Sequence, residues 1–291
     1  MSNSSLPTAW LEDDEGGRFP LAATSSLGRS STANQYGFPH DKVSRRHVLV
    51  HAQNSGEFWI VDLGSTNGTY VNDERLLVPV RLRDGDSVNL GHGVALRFKQ
   101  AAIVEGTRAQ SMLASTAHDV RVEKRWILVA DLEGFTQLSK DLPSAELAMQ
   151  VGEWLAAATE LLNRCGGRIN RYTGDGFLAF WRESAEAVGW VATAAREFGR
   201  LQTRTKLPFR TALHWGEVAI GGAPSSGEES LMSDDLSMTF RLEALASQLR
   251  LPSIFSSVAA ELLAGEMTLE EVPGFHTVKG FAPISGLRTL R

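Results

Sequence analysis

Cysteine is almost absent from this chain: Cys165 stands alone among 291 residues, so no disulfide can close within it and no thiolate cage can hold zinc. Long apolar runs are also absent. Nowhere do about 18 apolar residues follow one another, and the opening Met1-Ser-Asn-Ser-Ser-Leu-Pro7 lacks a basic stretch with an apolar segment behind it, which argues against a membrane span and a secretory leader. Neither sign of charge dominates. A formal net charge of −5 offers no broad attraction to nucleic acid or anionic lipid, so any phosphate must be recognised by a few placed side chains. What is present is an apolar fraction of 43%, enough for real cores in a chain long enough for two domains. These features predict a soluble, cytoplasmic globular protein.

Two patterns divide the chain. From about residue 8 to 100, short apolar stretches alternate with turn residues and no 3.6-residue period is sustained. Phe58-Trp-Ile-Val61, Gly68-Thr-Tyr-Val71, Ser87-Val-Asn-Leu90 and Val94-Ala-Leu-Arg-Phe98 read as strands, with turns at Asn54-Ser-Gly56, Asn72-Asp73 and Asp84-Gly85. The expectation is an all-β sandwich over 1–103. A stretch rich in Ala, Ser, Thr and Gln follows and predicts a linker over 104–123. Residues 124–291 then alternate strands and helices: strand 126–131, helix 144–164, hairpin 168–181, helix 184–203, strand 209–215 turning at Gly216-Glu217 into 218–221, and helix 235–249. Leu147, Val151, Leu155 and Ala158 share one face of helix 144–164, and Gly166-Gly167 stops it. This second half is expected to be α/β.

Two aspartates in the second half lie where a strand gives way to a tight turn, Asp131 in Trp126-Ile-Leu-Val-Ala-Asp-Leu-Glu-Gly-Phe-Thr136 and Asp175 in Arg171-Tyr-Thr-Gly-Asp-Gly-Phe177. Two carboxylates converging at strand ends make a hard-oxygen site suited to Mg²⁺ on a nucleotide triphosphate. Singly, Asp131 reads equally as a helix N-cap and Asp175 as a turn residue. They do not stand singly. Ala130-Asp-Leu-Glu-Gly-Phe-Thr136, Gly174-Asp175, His214-Trp-Gly-Glu-Val218, Phe240-Arg-Leu-Glu243 and Val278-Lys-Gly280 occur in the order and spacing of a class III nucleotidyl cyclase catalytic domain, which residues 125–291 resemble.

That resemblance implies a ferredoxin-like core working as a head-to-tail homodimer whose sites draw on both copies. Asp131 and Asp175, with the Leu132 carbonyl, would hold two Mg²⁺ (or Mn²⁺) ions, and the N–H groups around Gly134, Phe135 and Thr136 would take the phosphates. The partner copy would bring Arg171 and Ser230 to the base, Ser237 to the ribose and Arg241 to the α-phosphate. Arg171 and Ser230 together offer adenine a donor and an acceptor, which favours ATP. Arginine also reaches guanine O6, and the nearby Glu228 and Glu229 keep GTP open. Ser237 stands where the family carries asparagine, and Met238 and Phe240 replace small residues. A competing reading is a cyclase fold kept as a non-catalytic dimerisation scaffold; the intact Asp131, Asp175 and Arg241 argue against it. His214 reads as a packing residue.

In the first half, Gly28-Arg29, Ser44-Arg-Arg-His47 and Asp62-Leu-Gly-Ser-Thr-Asn-Gly-Thr-Tyr-Val-Asn72, followed by Leu82-Arg-Asp-Gly-Asp86 and Gly91, are similar to a forkhead-associated domain over nearly its whole length. The resemblance implies a phosphothreonine-peptide reader. Arg29, Ser44, Arg45 and Thr66 would supply the donors a dianionic phosphate demands, and Asn67 would bond the peptide backbone. Gly28, Gly68 and His47 read as architectural. The partner peptide would come from another protein or from the chain's own linker, where Thr107 and Thr116 are available.

Overall fold

The computed structural model describes residues 9–53, 57–101, 121–221 and 230–290, the side chains of 221, 230 and 231 excepted. The expected turn at 54–56, Thr107, Thr116, Glu228, Glu229 and the Ser230 side chain lie outside the described residues. Two compact units divide the chain near residue 120.

The first unit is all β. Strands β1 (Ala9–Asp13), β2 (Arg18–Pro20), β3 (Thr24–Gly28), β4 (Tyr36–Gly37), β5 (Val48–Gln53), β6 (Glu57–Asp62), β7 (Thr69–Val71), β8 (Glu74–Arg75), β9 (Val80–Leu82), β10 (Ser87–Leu90) and β11 (Val94–Gln100) form two sheets. One runs β2-β1-β11-β10-β7-β8 and the other β4-β3-β5-β6-β9. Alternation along the strands sends Leu11, Leu27, Val48, Val50, Ile60, Val88, Leu90 and Phe98 into one shared core. Asn72 and Asp73 both adopt positive φ, 50° and 66°, as a two-residue hairpin turn between β7 and β8 requires. The sandwich expected from the turn spacing is therefore the one observed.

The second unit opens with β12 (Arg121–Leu132), which starts inside the stretch expected to be linker. It continues through helix α1 (Phe135–Asp141), α2 (Ser144–Arg164), strands β13 (Arg168–Tyr172) and β14 (Gly176–Arg182), α3 (Ala187–Arg204), β15 (Phe209–Gly221), β16 (Ser230–Met232), α4 (Asp234–Leu249), β17 (Ser253–Phe255), α5 (Ser257–Leu263), β18 (Glu270–Glu271) and β19 (Arg288–Thr289). The order β13-β14-β12-β15, antiparallel at every step and joined by helical crossovers, is the ferredoxin-like βαββαβ arrangement. β17 extends it in parallel to β15.

One face of this sheet carries an aromatic layer in which Trp154 of α2 lies against Phe177 and Phe209, and Phe198 of α3 closes on the same two rings. The other face packs Ile127, Val129, Leu178, Phe180 and Val218 against Leu236 of α4. Trp181 is buried and donates to the Cys165 carbonyl at 2.7 Å, while Trp190 remains 42% exposed. Among the described residues no helix is long and apolar enough to cross a membrane.

Two sequence expectations are corrected. β15 does not turn at Gly216-Glu217 but runs unbroken to Gly221, pairing Gly216 with Arg125 and Glu217 with Lys124 on β12. The glycine serves close approach instead: a Cβ there would lie 2.3 Å from Asp235 Oδ2. Helix 184–203 also begins later than expected, at Ala187.

Candidate functional site

At one end of the sandwich, three loops converge. The backbone N–H of Arg29 donates to the Ser44 carbonyl at 2.9 Å, tying the end of β3 to the segment before β5. Ser44 Oγ accepts from the Thr66 N–H at 3.0 Å, drawing in the loop after β6. Asn67 Nδ2 donates to the Lys42 carbonyl at 2.8 Å, so this loop is held at two points. Arg29, Ser44, Arg45, Arg46 and Thr66 line a depression of about 580 Å³, which brings four of the five predicted phosphate and peptide residues to one place; Asn67 adjoins it in sequence. The depression is rich in cations and hydroxyls and has no carboxylate in its lining.

Beneath the loops lies a buried support. His47 Nδ1 accepts from the Ser44 N–H at 3.0 Å, which leaves its Nε2–H to donate to the Gly68 carbonyl at 3.2 Å. Burial pushes the imidazole below its usual range and keeps it neutral, against the pull of Asp62. Asp62 accepts from the Ser65 N–H, the Ser65 hydroxyl and the Thr69 hydroxyl at 2.7, 2.6 and 2.5 Å. Gly28 is required because a Cβ would sit 2.4 Å from the Arg45 carbonyl oxygen.

The second unit gathers charge of the opposite sign. Asp131 ends the central strand β12, with Gly176 of β14 opposite on one side and Arg210 of β15 on the other. Asp175 occupies the two-residue turn between β13 and β14, where Gly174 takes a φ of +86° and the Thr173 N–H donates to the Gly176 carbonyl at 2.9 Å. Gly176 must lack a side chain, since a Cβ would meet Asp131 Oδ1 at 2.5 Å. The carboxyl of Asp131 is pushed up from 3.8 to about 7, first by burial and then by the charges of Asp175 and Glu243. Asp175 is raised by burial, and Glu243 by burial and by Asp175 and Glu133, with Arg210 opposing. Arg210 forms an ion pair with Glu133 at 2.8 Å. Arg210 thus faces the carboxylates of Asp131, Glu243 and Glu133, while Asp175 adds its charge against Asp131 and Glu243.

Residues 25–91 match the family model for the FHA domain. The N-terminal unit is an FHA domain. Over 91 residues the chain is 40% identical to the glycogen accumulation regulator GarA of Mycolicibacterium smegmatis, a match covering 31% of this chain and 56% of that protein. The chain spans about half the length of such curated relatives, or less. Among solved structures it is similar to the adenylyl cyclase CyaB from P. aeruginosa, at 20% identity and a TM-score of 0.49, covering 59% of this chain and 96% of that one. It is also similar to the guanylyl cyclase Cya2, at 20% identity and a TM-score of 0.46, covering 58% and 92%. The reading of the C-terminal unit rests on its own topology and residues.

The remaining predicted residues fall in two groups. Leu132 is buried and pairs with Phe209, and the Glu133 N–H donates to the Pro208 carbonyl at 2.8 Å, so the chain leaves the sheet in a fixed direction. Gly134 has a φ of +62° with open space where a Cβ would be, and Phe135 and Thr136 open α1. Ser237 and Arg241 are exposed and lie one turn apart on α4, whereas Glu243 of the same helix is half-buried against the aspartates. Arg171 is half-buried with its guanidinium 5.9 Å from the Phe240 ring, and burial lowers its pKa. Sequence reasoning passed over Glu133, Arg210 and Glu243. All three lie within or beside quoted segments, but only the sheet register and the pitch of α4 show that they crowd the aspartates.

Proposed function

We propose that the chain is a nucleotidyl cyclase that acts as a homodimer and is governed by its FHA domain, with MgATP as the favoured substrate. In this reaction the ribose 3′-oxygen forms a bond to the α-phosphorus, the bond from that phosphorus to the bridging oxygen breaks, and pyrophosphate leaves. The observation that carries the reading is the convergence of Asp131, near the end of β12, and Asp175, in the turn that leads into the neighbouring β14, held together at the cost of their normal acidity.

The donor set fits two Mg²⁺ or Mn²⁺ ions. Among the described residues no cluster of three or more His, Cys, Asp and Glu has metal-binding spacing, and magnesium is usually held by one or two carboxylates with water and substrate phosphate completing the shell. When bound, the ions would polarise the 3′-hydroxyl and neutralise the triphosphate. Asp131, Asp175 and the Leu132 carbonyl would hold them. The segment Gly134-Phe135-Thr136 supplies backbone N–H groups for the phosphates, the glycine giving unhindered approach. Ser237 and Arg241 are exposed on α4 and would serve a second copy, Arg241 to stabilise charge developing on the α-phosphate and Ser237 to orient the ribose.

Arg171 and Ser230 would read the base. Arginine at this position supports a second reading, guanylate cyclase, because its guanidinium serves guanine O6 as readily as adenine N1. Serine in place of asparagine supports a third, a scaffold without turnover. One assay separates them: the purified protein with ATP or GTP and Mg²⁺ or Mn²⁺, product measured beside Asp175→Ala. Cyclic AMP above that control is the expected result, and no cyclic product from either nucleotide excludes an enzyme.

The FHA depression is read as the dock for a phosphothreonine, on another protein or at Thr107 or Thr116, in a cytoplasmic setting that supplies both phosphopeptide and ATP. Docking on Arg29 and Ser44 would shift the population of the closed dimer. Titrating the protein with a phosphothreonine peptide while following cyclisation tests this. Unchanged binding and unchanged activity in Arg29→Ala would exclude it.

A further inference from the structure

The start of α4 is fastened to β15 by a polar chain that the cyclase reading leaves unused. Asp235, in the first turn of α4, accepts from the Glu217 N–H through Oδ2 at 2.6 Å, and its Oδ1 lies 3.2 Å from His214 Nε2. His214 Nδ1 lies 2.8 Å from Ser256 Oγ, and that oxygen also accepts from the Ala259 N–H at 3.2 Å to cap α5. The Asp235 carboxylate can only accept, which places the imidazole proton on Nε2, toward Asp235, and leaves Nδ1 to accept from the Ser256 O–H. Gly216 leaves room for the Asp235 carboxylate, which a Cβ would approach to 2.3 Å. His214 is 7% exposed while the Asp235 side chain is 38% exposed, so the link is anchored at its buried imidazole end and reaches solvent at its carboxylate end.

Helix α4 already has a conventional N-cap in Ser233, which accepts from the Leu236 N–H at 2.9 Å. Asp235 is therefore not needed to start the helix. What it adds is attachment to a strand, and attachment fixes direction. Ser237 and Arg241 follow two and six residues later, about 3 and 9 Å along the axis. A tilt of about 10° at the helix start would carry the Arg241 backbone by about 1.5 Å, and a misplacement of about 1 Å can cost on the order of 10²-fold in rate.

We infer that Asp235 and His214 are positioning residues for cyclisation, locking the first turn of α4 onto β15 so that Ser237 and Arg241 meet the substrate held by a second copy of the chain. The inference rests on the cyclase reading and adds a division of labour: Asp235 acts through the half-site that α4 carries, not through the aspartates of its own chain.

Co-expressed pairs of full-length variants test that division. Asp235→Ala alone should lose about 30-fold or more in kcat with little change in KM. Paired with Asp175→Ala it should recover toward about a quarter of wild-type activity, because half the dimers are mixed and each holds one complete site. Paired with Arg241→Ala it should stay inactive, since both chains then lack a working α4 half. Asp235→Asn keeps an acceptor for the Glu217 N–H and should retain part of the activity, which covers the case of a poorly folding alanine variant. Rescue by both pairings, by neither, or by Arg241→Ala alone overturns the inference. If Asp175→Ala and Arg241→Ala do not complement each other, the composite site itself is wrong and the inference falls with it.

Discussion

The two sites of this chain handle buried charge in opposite ways. Under the FHA depression the buried carboxylate of Asp62 has three hydrogen-bond donors and the buried imidazole of His47 is held neutral between an N–H and a carbonyl. Its cations sit on the rim, in reach of solvent. The loops are thus tied to one another by hydrogen bonds within the chain itself. In the C-terminal unit, by contrast, Asp131, Glu243 and Glu133 crowd Arg210, Asp175 adds a further charge against Asp131 and Glu243, and Asp131 is pushed up to about 7. Burial and mutual repulsion make the charged form of that cluster costly. One unit satisfies its buried charge with hydrogen bonds, and the other leaves its carboxylates in mutual repulsion.

The largest expected effect breaks the second half of that comparison. Asp131→Asn should lower cyclisation by about 10³-fold or more, since it removes both a ligand and its charge. In metal-free protein the same change should raise stability at alkaline pH. The folded state holds the Asp131 proton up to about 7 while the unfolded chain releases it near 3.8, so wild type loses stability as pH rises between those values and carries the full cost above 7. Thermal melts should show the variant higher by a few degrees at pH 8, at about 2–4 °C per kcal/mol, and level with wild type at pH 4. A variant no more stable at pH 8 would show that the carboxylate is not strained.

On the FHA side, Arg29→Ala should weaken a phosphothreonine peptide by about 30- to 100-fold, the loss of a charge-assisted pair, without altering the melting temperature. Calorimetry with phosphorylated and unphosphorylated peptide measures it. An equal loss for both peptides would remove phosphate from the account.

How far the sequence disclosed these sites follows from the range of the contacts involved. The sandwich was legible because its turns are local: Asn72-Asp73 adopts the positive φ that two-residue hairpins demand, and Arg29, Ser44 and Thr66 sit in short segments of fixed spacing. The two aspartates stand out in the sequence for the same reason, one near the end of a strand and one in a glycine-flanked turn. Gly216-Glu217 misled because a glycine inside an apolar run signals a turn locally, whereas here it answers to Asp235, 19 positions away along the chain. Arg210 and Glu243 were hidden likewise. Their relation to Asp131 depends on strand register and on helix α4 crossing that face, neither of which is written in any one segment.

A smaller effect concerns the α4 half-site. Ser237→Asn restores the amide that the cyclase family uses to orient the ribose, and it should raise kcat about 10-fold with KM little changed. Ser237 is exposed and its hydroxyl bonds only the Ser233 carbonyl, at 3.2 Å, so the larger side chain meets no packing cost. No gain in turnover would mean that the helix, not the side chain, limits the rate, which returns attention to Asp235.

The smallest expected effect tests whether the FHA support is complete without ligand. Burial lowers the pKa of His47, so the unfolded chain takes up a proton near its ordinary value of 6.5 while the folded domain refuses it. The sign follows: the contribution of His47 is fully present above 6.5 and is lost as pH falls, by at most about 1.4 kcal/mol for each unit below that value. Protonation would also place an N–H at Nδ1, facing the Ser44 N–H that Nδ1 now accepts, and so loosen the loop that carries the phosphate donors. Melting of the FHA domain between pH 7.5 and 5.5 measures the slope independently of the phosphate's own titration. His47→Asn offers the Ser44 N–H an acceptor with nothing to titrate, so it should start less stable, for want of ring packing, and show a flatter pH profile. A wild-type profile as flat as that of the variant would mean that His47 remains solvated, and that the difference between the two sites is smaller than their geometry implies.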